Sequence, residues 1–171
     1  MIVETTARLQ IIAGTRELAK AEIHDKDKFA RLLGVSIPVS WPPENIRDVQ
    51  NLFLDMYNEH PQWENWLTWY AVKVDTVEPT LCGGIGFKGP ADESGMVEIG
   101  YSVLPEYQRK GLATEMVKGI VRWAHRQLSV KSIEAEVETE NIASIRVLEK
   151  NRFVRMGVGL ENNTIRFRYK P

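Results

Sequence analysis

The alternation of apolar and polar positions changes period in the middle of the chain. Val97, Ile99, Tyr101 and Val103 alternate with Glu98, Gly100 and Ser102, which predicts a strand with one apolar face. Pro105 ends it. After a basic turn, Gly111 opens a run in which Leu112, Met116, Ile120 and Trp123 recur at helical spacing, so the segment reads strand, turn, helix. Such a turn aims backbone N–H groups and the positive end of a helix at one point, and a glycine there lets a bulky anion approach the main chain. A phosphate suits that place.

The remaining pattern frames this unit. Leu9 and Ile11 alternating with Arg8 and Gln10 predict a short strand over 6–12, closed by Gly14. Thr15 caps one helix that runs to Leu33, where Gly34 stops it. The prolines within 37–43 exclude regular helix and leave an ordered loop anchored by Trp41. Ile46, Val49, Leu52, Phe53 and Met56 predict an amphipathic helix from Glu44 that ends before Pro61. Residues 67–74 and 80–87 read as paired strands, the second interrupted by Gly83 and Gly84. Beyond the central helix, Ile133, Ala135 and Val137 mark a strand ending at Glu138, and Asn141 caps a last helix carrying Ile142, Ile145 and Leu148 on one side. Residues 153–160 and 164–169 close the chain as a hairpin whose turn holds Asn162 and Asn163. The prediction is an α+β fold in a single domain over 1–171, a mixed, mostly antiparallel sheet of about six or seven strands with helices on both faces.

Composition narrows the classes. A chain of 171 residues buries about 70% of its unfolded surface as one domain. Lys and Arg number 22 against 23 Asp and Glu, a net charge of -1, so no global basic field exists to hold nucleic acid or an anionic membrane. Cys82 is the only cysteine, which excludes an intrachain disulfide and suits a reducing compartment. No apolar run approaches the roughly 20 residues of a membrane span. Glu4, Arg8, Arg16 and Glu17 stand where a signal peptide needs its apolar core, and the expected location is cytoplasmic. His24, His60 and His125 are too scattered for ligand spacing, so no metal is expected. Cys82, between Leu81 and Gly83 with no histidine nearby, reads as a small buried strand residue rather than a nucleophile.

The glycine turn has neither G-x-x-x-x-G-K-[ST] nor G-x-G-x-x-G spacing. It has Gln108, two residues, Gly111, one residue and Ala113. That pattern resembles the acetyl-CoA pyrophosphate loop, [QR]-x-x-G-x-[GA], of the GNAT superfamily of N-acetyltransferases. The upstream strand with Glu98, the later strand ending at Glu138, and the helix with Asn141 and Ser144 fit the same resemblance. Asn141 and Ser144 followed by Arg146-Val-Leu-Glu-Lys resemble in particular the branch that contains ribosomal-protein N-terminal acetyltransferases (Rim type).

The resemblance implies roles. Gln108, Arg109, Lys110, Gly111, Leu112, Ala113 and Thr114 would hold the pyrophosphate of acetyl-CoA, the co-substrate. The main chain at Val103 would bind the pantetheine arm and supply an oxyanion N–H. Asn141 would reach the pantetheine amide, although a helix cap explains it equally well. Glu98 matches the strand position of a catalytic base, and its other reading is a solvated residue or the partner of an arginine. Many members carry a thiolate acid as a tyrosine where this chain has Leu148, so that role passes to Ser144. Trp41 and some of Trp63, Trp66, Trp69 and Tyr70 either wall an acceptor pocket or pack the core. The expected acceptor is a primary amine, a peptide N-terminus or a small molecule, and a homodimer is among the assemblies the resemblance admits. The alternative in another class is a non-catalytic acyl-CoA-binding module.

Overall fold

The computed structural model describes all 171 residues. Eight strands form one sheet: β1 (Val3–Thr5), β2 (Leu9–Ala13), β3 (Trp69–Lys73), β4 (Thr80–Phe87), β5 (Met96–Val103), β6 (Ser132–Glu138), β7 (Phe153–Val158) and β8 (Thr164–Tyr169). Their order is β1-β2-β3-β4-β5-β6-β8-β7. Only the β5–β6 pair is parallel, with the helix Leu112–Ala124 as the crossover that carries the chain from one strand to the other. The strand that alternation does not reveal is β1, whose three residues are too few to show a period. It is held by Glu4, buried and bridged to Arg122 and Arg126.

Six α-helices flank the sheet: α1 (Arg16–His24), α2 (Lys26–Leu33), α3 (Glu44–Arg47), α4 (Gln50–Glu59), α5 (Leu112–Ala124) and α6 (Ile142–Lys150). The single helix expected from Thr15 to Leu33 is two. Asp25 ends α1 and caps α2, its carboxylate accepting from Lys28 N at 2.9 Å. Aspartate favours such caps over helix interiors, which is why the helix breaks there although the apolar spacing continues. Thr15 and Gly34 (φ 69) keep their predicted capping places. The second predicted helix likewise divides, into α3 and α4.

Two hydrophobic layers lie on opposite faces of the sheet. α5 presses Leu112, Met116, Val117 and Ile120 against Leu9, Ile11, Val97, Ile99 and Ile133. On the other face α1 and α2 bring Leu18, Phe29 and Leu33 onto Ile12, Tyr70, Val72 and Leu81. Trp66 and Trp69 each meet Trp123 edge to face, with ring centroids 4.9 and 4.8 Å apart, so these two indoles are largely core. Cys82 is buried with Sγ donating to Ala71 O, and burial pushes its thiol up to about 12. It is a packing residue.

Candidate active site

β5 and β6 pair for only three residues, Met96, Val97 and Glu98 against Ser132, Ile133 and Glu134. Beyond Glu98 the strands part, while β5 stays paired to β4 as far as Val103. Lys88 N donates to Glu98 O and Leu104 N to Cys82 O. Antiparallel bonds alternate along a strand, so Gly100 and Ser102 turn their main-chain groups to β4. Tyr101 and Val103 turn theirs into the wedge. The Gln108 side chain donates to Val103 O at 3.0 Å from across that opening.

The wedge runs into a groove of 510 Å³ between β5, the loop 104–111, the start of α5 and α6. Val103, Gln108, Arg109, Gly111, Leu112, Ala113, Thr114, Asn141 and Ser144 all line it. Lys110 does not: its Nζ donates to Glu106 O and lies over the Tyr107 ring. At Gly111 φ is 78, and the only heavy atom within 4 Å of where a Cβ would stand is Arg8 Nη2 at 3.5 Å. No side chain caps α5, so its first-turn N–H groups face the groove without a side-chain partner, as an anion site requires. Asn141 does cap α6, accepting from Ser144 N at 3.0 Å. Asn151 Nδ2 donates to Thr114 O at 3.1 Å and ties the end of α6 to the start of α5.

Two basic residues of the groove, Arg146 and Lys150, bound the run that carries the resemblance but were given no role by it. Their spacing of four on a helix puts them on one face, and both line the groove. Arg8 is a third basic residue that the resemblance gave no role. Its guanidinium binds Glu115 Oε2 through Nε and Nη2 and donates from Nη1 to Lys110 O at 2.9 Å, so the β1–β2 turn braces the loop from behind. The groove therefore offers backbone donors, a glycine gap and the cations Arg109, Arg146 and Lys150, which fit a polyphosphate.

On the other face of the sheet lies a cavity of 200 Å³. Its floor is the strip Gly84, Gly86 and Gly100, and its walls come from Trp41 and Ile46, from Gln50 and Phe53 on α4, and from Glu22 on α1. A Cβ on Gly100 would meet nothing within 4 Å and would project into this space. Trp41 is 2% exposed: its ring passes 3.5 Å from the Cβ position of Gly84, and its Nε1 donates to Glu22 at 2.9 Å. It thus both packs and lines. Glu22 accepts a second bond from Tyr70 OH at 2.9 Å. Burial raises its pKa above the usual carboxylate value, while Tyr70, Gln50 and Trp41 pull the other way. Gln50 Nε2, buried close by, has no hydrogen bond of normal geometry.

Glu98 projects toward this second face with its side chain 12% exposed and pairs with Lys88 Nζ at 2.6 Å. The partner is a lysine rather than an arginine, and Lys88 itself lines the cavity. Glu134, beside Glu98 in register, is held by Arg166 and Arg168. Leu148 is buried in the main core, so no acid comes from that position.

Groove and cavity share three lining residues, Asn45, Tyr101 and Ser102. Ser102 Oγ donates to Asn45 Oδ1 at 3.0 Å, and Tyr101 OH donates to Ser144 O at 3.1 Å. Burial pushes the Tyr101 phenol up to about 12. Alternation had placed Tyr101 only on the apolar face. The signal available was its hydroxyl, since a phenol turned inward must find a partner.

A groove and a pocket thus meet where a parallel strand pair splays, and the sequence comparisons name the family. Residues 16–154 match the family described as acetyltransferase (GNAT) domain. The chain belongs to the GNAT family, and its relatives carry the name N-acetyltransferase. It is 29% identical over 154 residues to the uncharacterized N-acetyltransferase YjdG of Bacillus subtilis (strain 168), with 90% of each chain covered. A GNAT-family acetyltransferase from Bordetella pertussis, described as putative in its structure, superposes with a TM-score of 0.70 at 16% identity, covering 99% of this chain and 100% of that one. RimL, a ribosomal L7/L12 alpha-N-protein acetyltransferase in complex with coenzyme A, superposes with a TM-score of 0.64 at 15% identity over 98% and 97% of the two chains. At these identities the two structures establish the fold alone.

Proposed function

We propose that the protein moves an acetyl group from acetyl-CoA to a primary amine by direct attack in a ternary complex. The observation that carries this reading is the junction at Asn45, Tyr101 and Ser102, where a groove suited to a polyphosphate meets a separate pocket. A molecule in the groove and one in the cavity approach each other only there.

Acetyl transfer requires a neutral amine, stabilisation of the carbonyl oxygen as it gains charge, and a home for the departing sulfur's electrons. An α-amine with pKa near 8 is about one-tenth neutral at pH 7, so a proton acceptor helps. Glu98 is our candidate, at the rim of the cavity and joined to it through Lys88. The amine lone pair attacks the thioester carbon, the carbon–sulfur bond breaks, and the nitrogen's proton leaves toward the carboxylate. Main-chain N–H groups of Tyr101 and Val103 aim into the wedge, where they serve as oxyanion donors. The sulfur takes a hydrogen bond, and then a proton, from the junction. Tyr101 is a stronger acid than Ser144 by its chemistry and stays protonated at neutral pH, so we assign it this part ahead of Ser144, its O–H turning from Ser144 O to the sulfur. Trp41 and Phe53 wall the acceptor.

The test is thiol release from acetyl-CoA across a panel of small primary amines and short peptides. Amine-dependent release supports transfer. Acetyl-CoA binding without release on any amine would leave a binding module and refute catalysis.

A further inference from the structure

The acceptor cavity has an unbalanced charge. Among its lining residues Lys88 is the one cation and Glu22 the one carboxylate. Lys88 is already neutralised by Glu98 at 2.6 Å. Glu22, 8% exposed, forms no ion pair and is held by two uncharged donors, the Trp41 indole and the Tyr70 phenol. An ionised carboxylate has about four acceptor positions, and these two bonds fill half. A buried anion without a cation is costly to keep. Structural duty alone, orienting one indole and one phenol, would be met by a neutral acceptor.

Its position separates it from the reacting atoms. Tyr70, Gly84 and Ser102 are register partners on β3, β4 and β5, so the strand that bonds Glu22 lies two strand spacings, about 10 Å, from the one that reaches the junction. Trp41 bridges the interval, with one edge over Gly84 and its N–H on Glu22. The rings of Trp41, Phe53 and Tyr70 line the cavity along this path, and aromatic rings favour a cation. The cavity, 200 Å³, is small beside the roughly 300–1,000 Å³ of ligand pockets in general, which favours a compact molecule.

Resting on the acetyl-transfer reading above, we propose that Glu22 is the specificity residue of the acceptor site. It binds a second, non-reacting cationic group, so the preferred acceptors are small diamines whose other nitrogen reaches the junction. Gln50, whose buried amide nitrogen makes no hydrogen bond of normal geometry, adds a third uncharged neighbour to the carboxylate and no cation.

The experiment pairs diaminobutane with aminobutane and diaminopentane with aminopentane, measuring kcat/KM by thiol release. It also measures the melting shift each amine gives with the wild-type chain and with Glu22→Gln. Wild type is expected to favour the diamine by about tenfold or more. In E22Q the ratio of diamine to monoamine falls to about one, through KM for the diamine, and the diamine melting shift disappears. Equal kcat/KM for diamine and monoamine in wild type overturns the proposal, as does E22Q losing both by the same factor. Should E22Q fail to fold, the wild-type comparison decides by itself. If no amine supports thiol release, the transfer reading fails while the melting shift still judges Glu22: a shift with diamines alone sustains the site, and none overturns it.

Discussion

Glu98 and Glu22 are carboxylates on the same face of the sheet with different surroundings, and each supports its own prediction. Replacing Glu98 by Gln is expected to lower kcat by roughly 10²–10⁴ while acetyl-CoA affinity changes little, because a general base acts on the amine and not on the groove. Turnover at the wild-type rate would reduce Glu98 to a partner of Lys88. For Glu22 the readout is stability against pH. Burial holds its folded pKa above the ordinary carboxylate value, so between the two values the native state holds a proton that the unfolded chain has released. That contribution is fully present below the unfolded value and is lost as pH rises through the folded one. E22Q has no such proton, so the wild-type melting temperature should fall relative to that of E22Q as pH climbs through this window, then run parallel above it. A difference that stays flat from acid to neutral pH would mean that Glu22 ionises as it does in water. Trp41→Ala is a poor probe of acceptor binding, since removing a buried indole costs about 3–5 kcal/mol. Trp41→Phe keeps a ring and removes the N–H to Glu22, and it should raise acceptor KM while leaving acetyl-CoA affinity intact.

At the scale of elements, the groove was far more legible than the cavity. Gln108 to Thr114 are contiguous, and their geometry follows from a strand, a turn and a helix in direct succession. Glu22, Asn45, Tyr70 and Gly100 come from four elements, and only the strand order of the finished sheet brings them round one space. One trace was there to read: Glu22 stands four residues after Leu18, on the buried side of α1, where a carboxylate is out of place unless something engages it. The helix break at Asp25 escaped because both halves keep the same apolar spacing. Gly100 supplies a test of the cavity. Gly100→Val adds a side chain that strands favour into open space, so the fold should hold and the acetyl-CoA melting shift should persist while acceptor turnover is lost. Undiminished turnover would place the acceptor elsewhere. Arg8→Ala tests the brace behind the loop. An ion pair of this exposure is worth at most about 1 kcal/mol to the fold, yet loss of the contact to Lys110 O should weaken acetyl-CoA binding several-fold by calorimetry.

For the whole molecule, the groove is built from both sides of the parted strands, and a ligand there links them. Binding to the native state alone raises stability by about 2.7 kcal/mol at a hundred times Kd. Acetyl-CoA should therefore raise the melting temperature, and Gly111→Glu, which sets a carboxylate against the phosphates at φ 78, should abolish the rise. A preserved shift in that variant would remove the loop from the site. The mixed, mostly antiparallel character of the sheet was legible in the alternating strands, whereas the eighth strand, β1, was too short to show a period and the strand order was not legible. Nor was how far β5 and β6 stay together, because nothing in either strand's alternation encodes where a ladder stops. That stop has a signature in amide hydrogen exchange. A strand in the middle of a sheet ordinarily releases its amide protons only when the fold opens globally, yet β5 is an interior strand with one side bare beyond Glu98. Along it, slow and fast sites should alternate residue by residue: Gly100 and Ser102, bonded to β4, exchange slowly, while Tyr101 and Val103 exchange as though they lay on an edge. Deuterium uptake at those two amides should drop when acetyl-CoA occupies the wedge, marking the bound thioester arm as the strand that the sheet omits.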